Sequence, residues 1–396
     1  MYFQTLDDKR ECVGVYCEGD LQFKDVPAGL TKTWKYTGSV TGTEIEYGWI
    51  LCNGSELAEV CPENLKQELE RLQRKFNAYM KAFRIANVNL RENCIFELVP
   101  YDFLKEFCEM KNKITSHVFE NFDKPKNYKM MSDAHKLIHK ISYQDLNIDV
   151  SGCRDLFLNS ATAKKVNSIV NGPKHIDYDL FGTVTGRLTT KRNSFPILTM
   201  KREHRKILKP KNDWFISLDY NSAEVRTLIA LSGKPQPDID IHEWHCHNLF
   251  KGEEGVTRAR AKTMFFAWLY NPASKKIKMD FYDREGLLEE WYREGVIRTP
   301  IGREIKVGRD KAFNYLIQST TADLVIERAV ALDRMLEGKK SFISHILHDE
   351  VVVDFCDSER AILKDIKNLF AKNLLSDYMV NVKAGKNYYE LSELDV

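Results

Sequence analysis

The sequence has no apolar run of about 18 residues, the length needed to span a membrane. Its first residues, MYFQTLDDKR, lack the basic start and the apolar stretch of a secretory signal. Its nine cysteines are odd in number and form no CxxC pair, which favours reduced thiols over a disulfide framework or a zinc ribbon. We therefore expect a cytoplasmic protein without a membrane segment.

A strong charge of one sign is also missing. The net charge is +2 at pH 7, below the basic balance typical of a simple nucleic-acid-binding domain. Positive charge is nevertheless concentrated at 201–211 and 275–278, which are candidate phosphate contacts or, alternatively, solvated faces. The chain of 396 residues, with 43% hydrophobic content, is long enough for two or three domains.

The first 171 residues predict a β-rich segment followed by helices. Short strands separated by turn residues are predicted at 12–16, 33–36 and 44–51. A helix is predicted from Pro62 to about residue 87, because apolar residues recur there at spacings of three and four. Further helical patterns cover 101–122 and 132–141.

Two predicted strand ends in the second half carry acidic side chains. The strand at 214–218 ends at Asp219, and a helical pattern follows it. In SHILHDEVVVDFC the branched, apolar flanks predict a β-hairpin with Asp349 and Glu350 at its tip. If the two strands are neighbours, the acids can hold Mg²⁺, whose shell substrate phosphates and waters complete. The alternative at the tip is an ordinary polar turn.

The stretch RARAKTMFFAWLY predicts a helix on which Arg258, Lys262, Phe266 and Tyr270 recur every fourth residue. Two cations followed by two aromatic rings can bind a triphosphate and then a sugar or base; an ordinary amphipathic helix is the alternative. The nearby stretch HEWHCH resembles a zinc site, but its side chains do not all share one helix face.

These stretches together resemble family A DNA polymerases, the family of bacterial polymerase I and many phage replicases. SLDYNSAEVRTLIALSG resembles the family's motif A, RARAKTMFFAWLY its motif B and HDE its motif C, in the family's order. Four weaker matches are TVTGRLTT, DIH, FNYLIQSTTADLV and VKAGKNYYEL. The resemblance covers about residues 172–396.

The resemblance implies an α+β fold of the right-hand polymerase type. It would comprise a palm with an antiparallel sheet, fingers, a thumb and a small N-terminal β-rich module. The implied boundaries are 1–60 for the module or exonuclease remnant, 61–171 for the thumb, 172–240 with 303–396 for the palm, and 241–302 for shortened fingers.

The resemblance also implies the site residues. Asp219 and Asp349 would bind two Mg²⁺ ions, for which Mn²⁺ can substitute, together with the carbonyl of Tyr220, and Glu350 would lie beside them. Lys262 would serve catalysis and nucleotide binding. The dNTP would meet Arg258, Lys262, Phe266, His242, Glu224 and Tyr270. The DNA would meet Arg187, Asn314, Gln318 and His348.

The implied function is template-directed DNA synthesis on a primer. A proofreading site is not expected, because Asp7-Asp8 and Glu44 to Glu46 fit the required acidic pattern poorly. The alternatives are a single-subunit RNA polymerase and an inactive primer-template binding protein. The expected partners are primer-template DNA, dNTPs and accessory replication proteins, with the chain a monomer in the cytoplasm, or the host cytoplasm if viral.

Overall fold

The computed structural model describes residues 1–6, 14–23, 26–40, 44–90, 92–253, 255–271 and 281–396. Two compact units make up the chain, Met1–Lys140 and Ile141–Val396. The finer domain boundaries therefore remain predictions. The basic stretch at 275–278 and the acidic pair Asp7-Asp8 lie outside the described residues. Within the described part of the chain, no helix is both long and apolar enough to cross a bilayer.

The first unit combines two small sheets with helices. Its strands are β1 (Phe3–Thr5), β2 (Val15–Cys17) and β3 (Asp20–Gln22) in an antiparallel sheet, and β4 (Lys32–Thr33) with β5 (Glu46–Tyr47) as a parallel pair. Its helices are α1 (Gly48–Leu51), α2 (Glu63–Ile85), α3 (Ile95–Leu98), α4 (Tyr101–Asn121) and α5 (Tyr128–Ser142), which ends just beyond the unit.

The strand predicted at 44–51 is wrong over its second half. Only Glu46–Tyr47 is extended, and Gly48–Leu51 forms a buried helical turn, because a short apolar run fits a buried turn as well as a strand. The predicted helices, by contrast, match α2, α4 and α5 to within a few residues. The β-rich segment shares one core with α2 and α4, where Tyr16 and Leu21 pack with Leu72 and Phe103.

The second unit is built on a five-stranded antiparallel sheet. The unit's strands are β6 (Asn147–Ile148), β7 (Tyr178–Asp179), β8 (Thr189–Thr190), β9 (Leu208–Lys209), β10 (Trp214–Tyr220), β11 (Tyr292–Arg293), β12 (Val296–Arg298), β13 (Glu304–Lys306), β14 (Phe342–Leu347), β15 (Glu350–Phe355), β16 (Val380–Gly385) and β17 (Ser392–Glu393). The order in the main sheet is β14-β15-β10-β16-β17. The others form a three-stranded sheet, β11-β12-β13, and the pairs β6-β9 and β7-β8.

The sheet brings the two predicted strand ends together. Strand β10 is central and pairs with β15 so that Asp219 lies opposite Glu350. Its branched and aromatic residues favour a strand buried on both faces. Strands β14 and β15 form the predicted hairpin, and His348 and Asp349 make its two-residue turn. His348 has φ 57°, the left-handed conformation that tight hairpin turns require.

The helices of the second unit cover this sheet and frame its edge. They are α6 (Ser160–Val170), α7 (Ala223–Leu231), α8 (Ile241–Asn248), α9 (Arg258–Tyr270), α10 (Arg284–Trp291), α11 (Arg309–Met335) and α12 (Leu363–Ala371). Side-chain caps fix two starts: Asp240 accepts from the N–H groups of α8, and Thr257 accepts from α9. Helices α7 to α11 share one core around Phe265 and Phe313.

Candidate active site

A cavity of about 410 Å³ opens where β10 ends and the β14–β15 hairpin turns. Helices α7, α9 and α11 and the segment 186–188 before β8 supply the rest of its wall. The lining residues that the sequence analysis had singled out are Arg187, Asp219, Tyr220, Glu224, Lys262, Phe266, Tyr270, His348 and Asp349.

Asp219 and Asp349 meet at this cavity from neighbouring elements of the sheet. Burial raises the pKa of Asp219 to about 7, and the negative charges of Asp349 and Glu350 add to the rise. Burial likewise raises the pKa of Asp349, against the opposing positive charges of His348, Arg187 and Lys262. The cavity therefore holds two carboxylates whose ionised forms lack full compensation, and a divalent cation would remove that cost.

The residues present fit a metal that substrate helps to bind. No group of three or more His, Cys, Asp or Glu side chains forms a complete metal site in the part of the chain that the structure describes. Two carboxylates and a carbonyl leave coordination positions for waters and phosphates, as Mg²⁺ usually requires. Tyr220 lines the cavity while its hydroxyl donates to Phe370 O at 2.6 Å on the other face, so its main chain remains on the cavity side.

Glu350 lies beside the acids but does not line the cavity. Its Oε1 accepts from Ser217 Oγ at 2.5 Å, and its Oε2 accepts from the Tyr388 hydroxyl at 2.7 Å. Both carboxylate oxygens are thus engaged within the sheet.

Helix α9 presents Lys262, Phe266 and Tyr270 to the cavity, in the order that the four-residue spacing predicts. The Phe266 and Tyr270 rings stack with centroids 5.8 Å apart. Lys262 is exposed, so its ammonium group can move toward an anion in the cavity.

Arg258 and His242 do not line the cavity, although both were predicted to meet the triphosphate. Arg258 binds Asp240 with two hydrogen bonds, Nε to Oδ1 at 2.9 Å and Nη2 to Oδ2 at 2.6 Å. His242 is buried, and its Nε2 lies 2.9 Å from Ser222 Oγ. Burial lowers the pKa of His242 to about 4, so the ring is neutral at pH 7.

Glu224 is held by two partners at the cavity wall. Arg187 Nη2 donates to its Oε1, and the Tyr270 hydroxyl donates to its Oε2. The pairing with Arg187 and Tyr270 gives Glu224 structural partners, whereas the resemblance implied a contact with the dNTP. Burial and the Glu224 carboxylate together raise the pKa of Tyr270 above its usual range.

The two predicted duplex contacts on α11 lie outside the cavity lining. Gln318 forms a side-chain hydrogen bond with Tyr270. The buried Asn314 Oδ1 has no hydrogen-bond partner among the described residues. The HEWHCH stretch forms no metal site there either, since His245 Nε2 lies 2.8 Å from the Tyr282 hydroxyl.

The first basic stretch surrounds the 3₁₀ helix Arg202–Ile207. Lys206 binds Asp155 at 2.7 Å, and the Arg205 guanidinium lies over the Tyr388 ring at 4.8 Å. Both cations therefore already have protein partners, Asp155 and the Tyr388 ring.

Sequence reasoning missed two buried arginines that support the site. Arg303 binds Asp323 of α11 through Nε at 2.9 Å and Nη2 at 2.6 Å, and it packs against Gly186 of the cavity wall. Arg226 is fully buried and donates to Asn221 O at 2.9 Å and to Ile239 O at 3.0 Å. The available signal in the sequence was Asp323, which lies within an apolar run of α11. A buried carboxylate requires a partner, so its position indicates a buried cation.

Comparison with known proteins places these features in context. No family model matches the chain. It is 26% identical over 279 residues to DNA polymerase I of Chloroflexus aurantiacus, which is 56% of this chain and 30% of that protein. It is 27% identical over 233 residues to the thermostable DNA polymerase I of Thermus thermophilus, 46% of this chain and 28% of that one. The predicted resemblance is confirmed.

A phage relative and a solved structure extend the comparison. The DNA polymerase of Mycobacterium phage D29 is 25% identical over 190 residues, 36% of this chain and 31% of that protein. The chain thus spans about a third of the length of the curated relatives it matches. The POL domain of Pol1 from M. smegmatis, in complex with DNA primer-template and dNTP, has a TM-score of 0.67 at 13% identity and covers 98% of this chain and 95% of that one. The α+β polymerase fold is therefore confirmed.

Proposed function

We propose that the chain is a template-directed DNA polymerase that adds dNTPs to a primer 3′-hydroxyl. The observation that carries the proposal is the meeting of Asp219 and Asp349 at one cavity whose wall also presents Lys262, Phe266 and Tyr270. A binding protein without catalysis would need neither carboxylate. We further propose that it acts as a cytoplasmic monomer on primer-template DNA, with accessory replication proteins as partners.

Asp219 and Asp349 would hold two Mg²⁺ ions, with the Tyr220 carbonyl as a further ligand. Bound there, the ions would lower the pKa of the primer hydroxyl and neutralise charge on the triphosphate. The raised pKa values of both carboxyls support this assignment, because a bound cation would favour the ionised form that burial disfavours. His348, at the turn of the same hairpin, would contact the primer end.

The triphosphate would bind on the α9 side of the cavity. Lys262 would neutralise phosphate charge and can protonate the leaving pyrophosphate. Arg258 would contribute after exchanging Asp240 for a phosphate, since both are anions that suit its planar fork. His242 would donate a neutral hydrogen bond rather than a charge, because its pKa is about 4.

The sugar and the template would meet Glu224 of α7 and the C-terminal half of α9. Glu224 and Phe266 would fill the space that a ribose 2′-hydroxyl needs, and Tyr270 would guard the templating position. Arg187, Asn314 and Gln318 would contact the duplex without selecting sequence.

Primer extension tests this proposal directly. The protein, a labelled primer on a template and Mg²⁺ are mixed with the four dNTPs or, in parallel, the four rNTPs. Extension with dNTPs only is the expected result. Extension with rNTPs only would support the RNA polymerase alternative, and no extension with either would reject a polymerase.

We also propose that the chain does not trim a mismatched 3′ end. Glu46, one of the few candidate acids, is bound to Lys124, and a compensated carboxylate is a poor metal ligand. The test is metal-dependent shortening of a labelled single strand. Shortening that Glu44→Gln or Glu46→Gln abolishes would reject the proposal.

A further inference from the structure

Both oxygens of Glu350 are occupied although the side chain lies next to the proposed metal site. Its Oε1 and Oε2 accept from Ser217 at 2.5 Å and from Tyr388 at 2.7 Å. Asp219 lies directly opposite Glu350 in the sheet and lines the cavity, whereas Glu350 does not. The two acids are therefore neighbours in the sheet, but only Asp219 lines the cavity.

The two hydroxyl donors are fixed by packing. Ser217 is 1% exposed and Tyr388 is 2% exposed. The Tyr388 ring meets His345 edge-on with centroids 4.5 Å apart, and the Arg205 guanidinium covers it at 4.8 Å. Its backbone N–H donates to Leu208 O at 3.1 Å. Because Tyr388 cannot easily move, Glu350 is held where it is.

We propose that Ser217 and Tyr388 are positioning residues that hold Glu350 outside the metal site, so that Asp219 and Asp349 are the carboxylates that bind the ions. This inference rests on the proposed function. Glu350 would contribute its charge from the sheet without contacting an ion. Tyr388 would also tie the segment between β16 and β17 to the hairpin that carries Asp349.

A released Glu350 would behave differently. Without the Tyr388 hydroxyl, Oε2 of the partly buried Glu350 carboxylate lacks its donor, and the loss of that partner costs stability. The side chain can then rotate toward the nearest cation. A third carboxylate at the ions would bind them more tightly. It would also occupy a coordination position that catalysis needs for water or a substrate phosphate.

Mn²⁺ binding measured by electron paramagnetic resonance tests the inference without requiring catalysis. We expect Glu350→Gln to change Mn²⁺ affinity by less than about threefold, and Asp349→Asn to lower it by more than about tenfold. We expect Tyr388→Phe to raise the affinity by about threefold or more, and the rise to disappear in the double variant Tyr388→Phe/Glu350→Gln. Tyr389→Phe, on the neighbouring tyrosine, is the matched control and should match wild type.

Primer extension adds the kinetic readout. Tyr388→Phe should lower kcat with little change in the KM for dNTP, while Tyr389→Phe leaves both unchanged. Ser217→Ala, which frees the other oxygen, is the second variant if Tyr388→Phe folds poorly.

Two results would overturn the inference: a loss of Mn²⁺ affinity in Glu350→Gln as large as in Asp349→Asn, or unchanged Mn²⁺ binding in Tyr388→Phe and Ser217→Ala. A wild type that binds Mn²⁺ as expected but does not extend primers would instead reject the proposed function.

Discussion

The two sides of the cavity differ in how their charged groups are compensated. On the sheet side, Asp219 and Asp349 face each other, and burial raises both pKa values. On the helix side, Glu224 is paired with Arg187 and Tyr270, and Arg258, just outside the cavity lining, is paired with Asp240. The two sheet-side acids are thus only partly compensated, whereas Glu224 and Arg258 each have a bound partner.

This difference predicts two modes of binding. A cation at the sheet side would bind without displacing a cationic side chain. It would neutralise the Asp219 and Asp349 carboxylates, whose ionised forms burial disfavours. A nucleotide at the helix side would have to replace the protein partners of Arg258 and Glu224 with its own groups. This exchange lowers affinity, but it makes binding depend on whether the nucleotide can supply matching contacts.

Asp349→Asn should have the largest effect, a loss of extension of about a thousandfold or more, because it removes a proposed metal ligand and no core packing. Primer-template binding, measured by fluorescence anisotropy, should be largely retained. The exposed Asp377→Asn is the control. Activity within tenfold of wild type would contradict the assignment of the sheet side as a metal site.

Glu224→Ala should relax sugar selection by about a hundredfold, since a clash of about 3 kcal/mol separates dNTP from rNTP if Glu224 fills the 2′ position. Single-nucleotide incorporation of dCTP and CTP measures the ratio. The exposed Glu290→Ala is the control. An unchanged ratio would mean that Glu224 only pairs with Arg187 and Tyr270.

Lys262→Ala should raise the KM for dNTP by about tenfold, through loss of a charge-assisted contact to phosphate. Arg258→Ala should raise it less, because Arg258 must first leave Asp240. Arg260→Ala, an exposed cation of the same helix, should change nothing. A larger rise in KM for Arg258→Ala than for Lys262→Ala would contradict the expectation that a cation bound to a protein partner contributes less than one that is not.

The smallest effect concerns pH. The folded pKa of Asp219, about 7, lies above its unfolded value of about 4, so its contribution to stability is fully present below about pH 4 and is lost as pH rises to about 7. Metal-free wild type should therefore lose about 3 °C more in Tm than Asp219→Asn between about pH 5 and about pH 8. Excess Mg²⁺ should close the gap. If the Tm values of metal-free wild type and Asp219→Asn change with pH in parallel, the Asp219 carboxylate is already compensated by protein groups.

Local patterns predicted the elements that carry the acids. The hairpin turn, the end of β10 and the faces of α9 follow from alternation, turn residues and four-residue spacing, all within short stretches. The meeting of Asp219 and Asp349 was a hypothesis from the sequence, because strand pairing joins segments far apart in the chain. Sequence spacing cannot show which strands pair. The register of β10 and β15 supplies this information, because it sets Asp219 opposite Glu350.

The partners of the site residues were harder to predict. Nothing near Arg258 in the sequence indicates that Asp240 binds it, and Tyr388 reaches Glu350 from another strand connection. His242 was expected at a phosphate, yet tertiary packing buries it against Ser222. Such contacts depend on how helices pack, which side-chain periodicity does not specify.

Gly186 and Arg303 are coupled in the mutations that they can accept. A Cβ at Gly186 would lie 2.5 Å from the Arg303 guanidinium, and the backbone there has φ 77°. Any side chain at position 186 would push Arg303 from Asp323 and leave a buried charge without its partner. Substitution at position 186 therefore depends on positions 303 and 323 together: a smaller residue at 303 would relieve the steric conflict but leave Asp323 buried without its partner, and the left-handed backbone at 186 would still favour glycine.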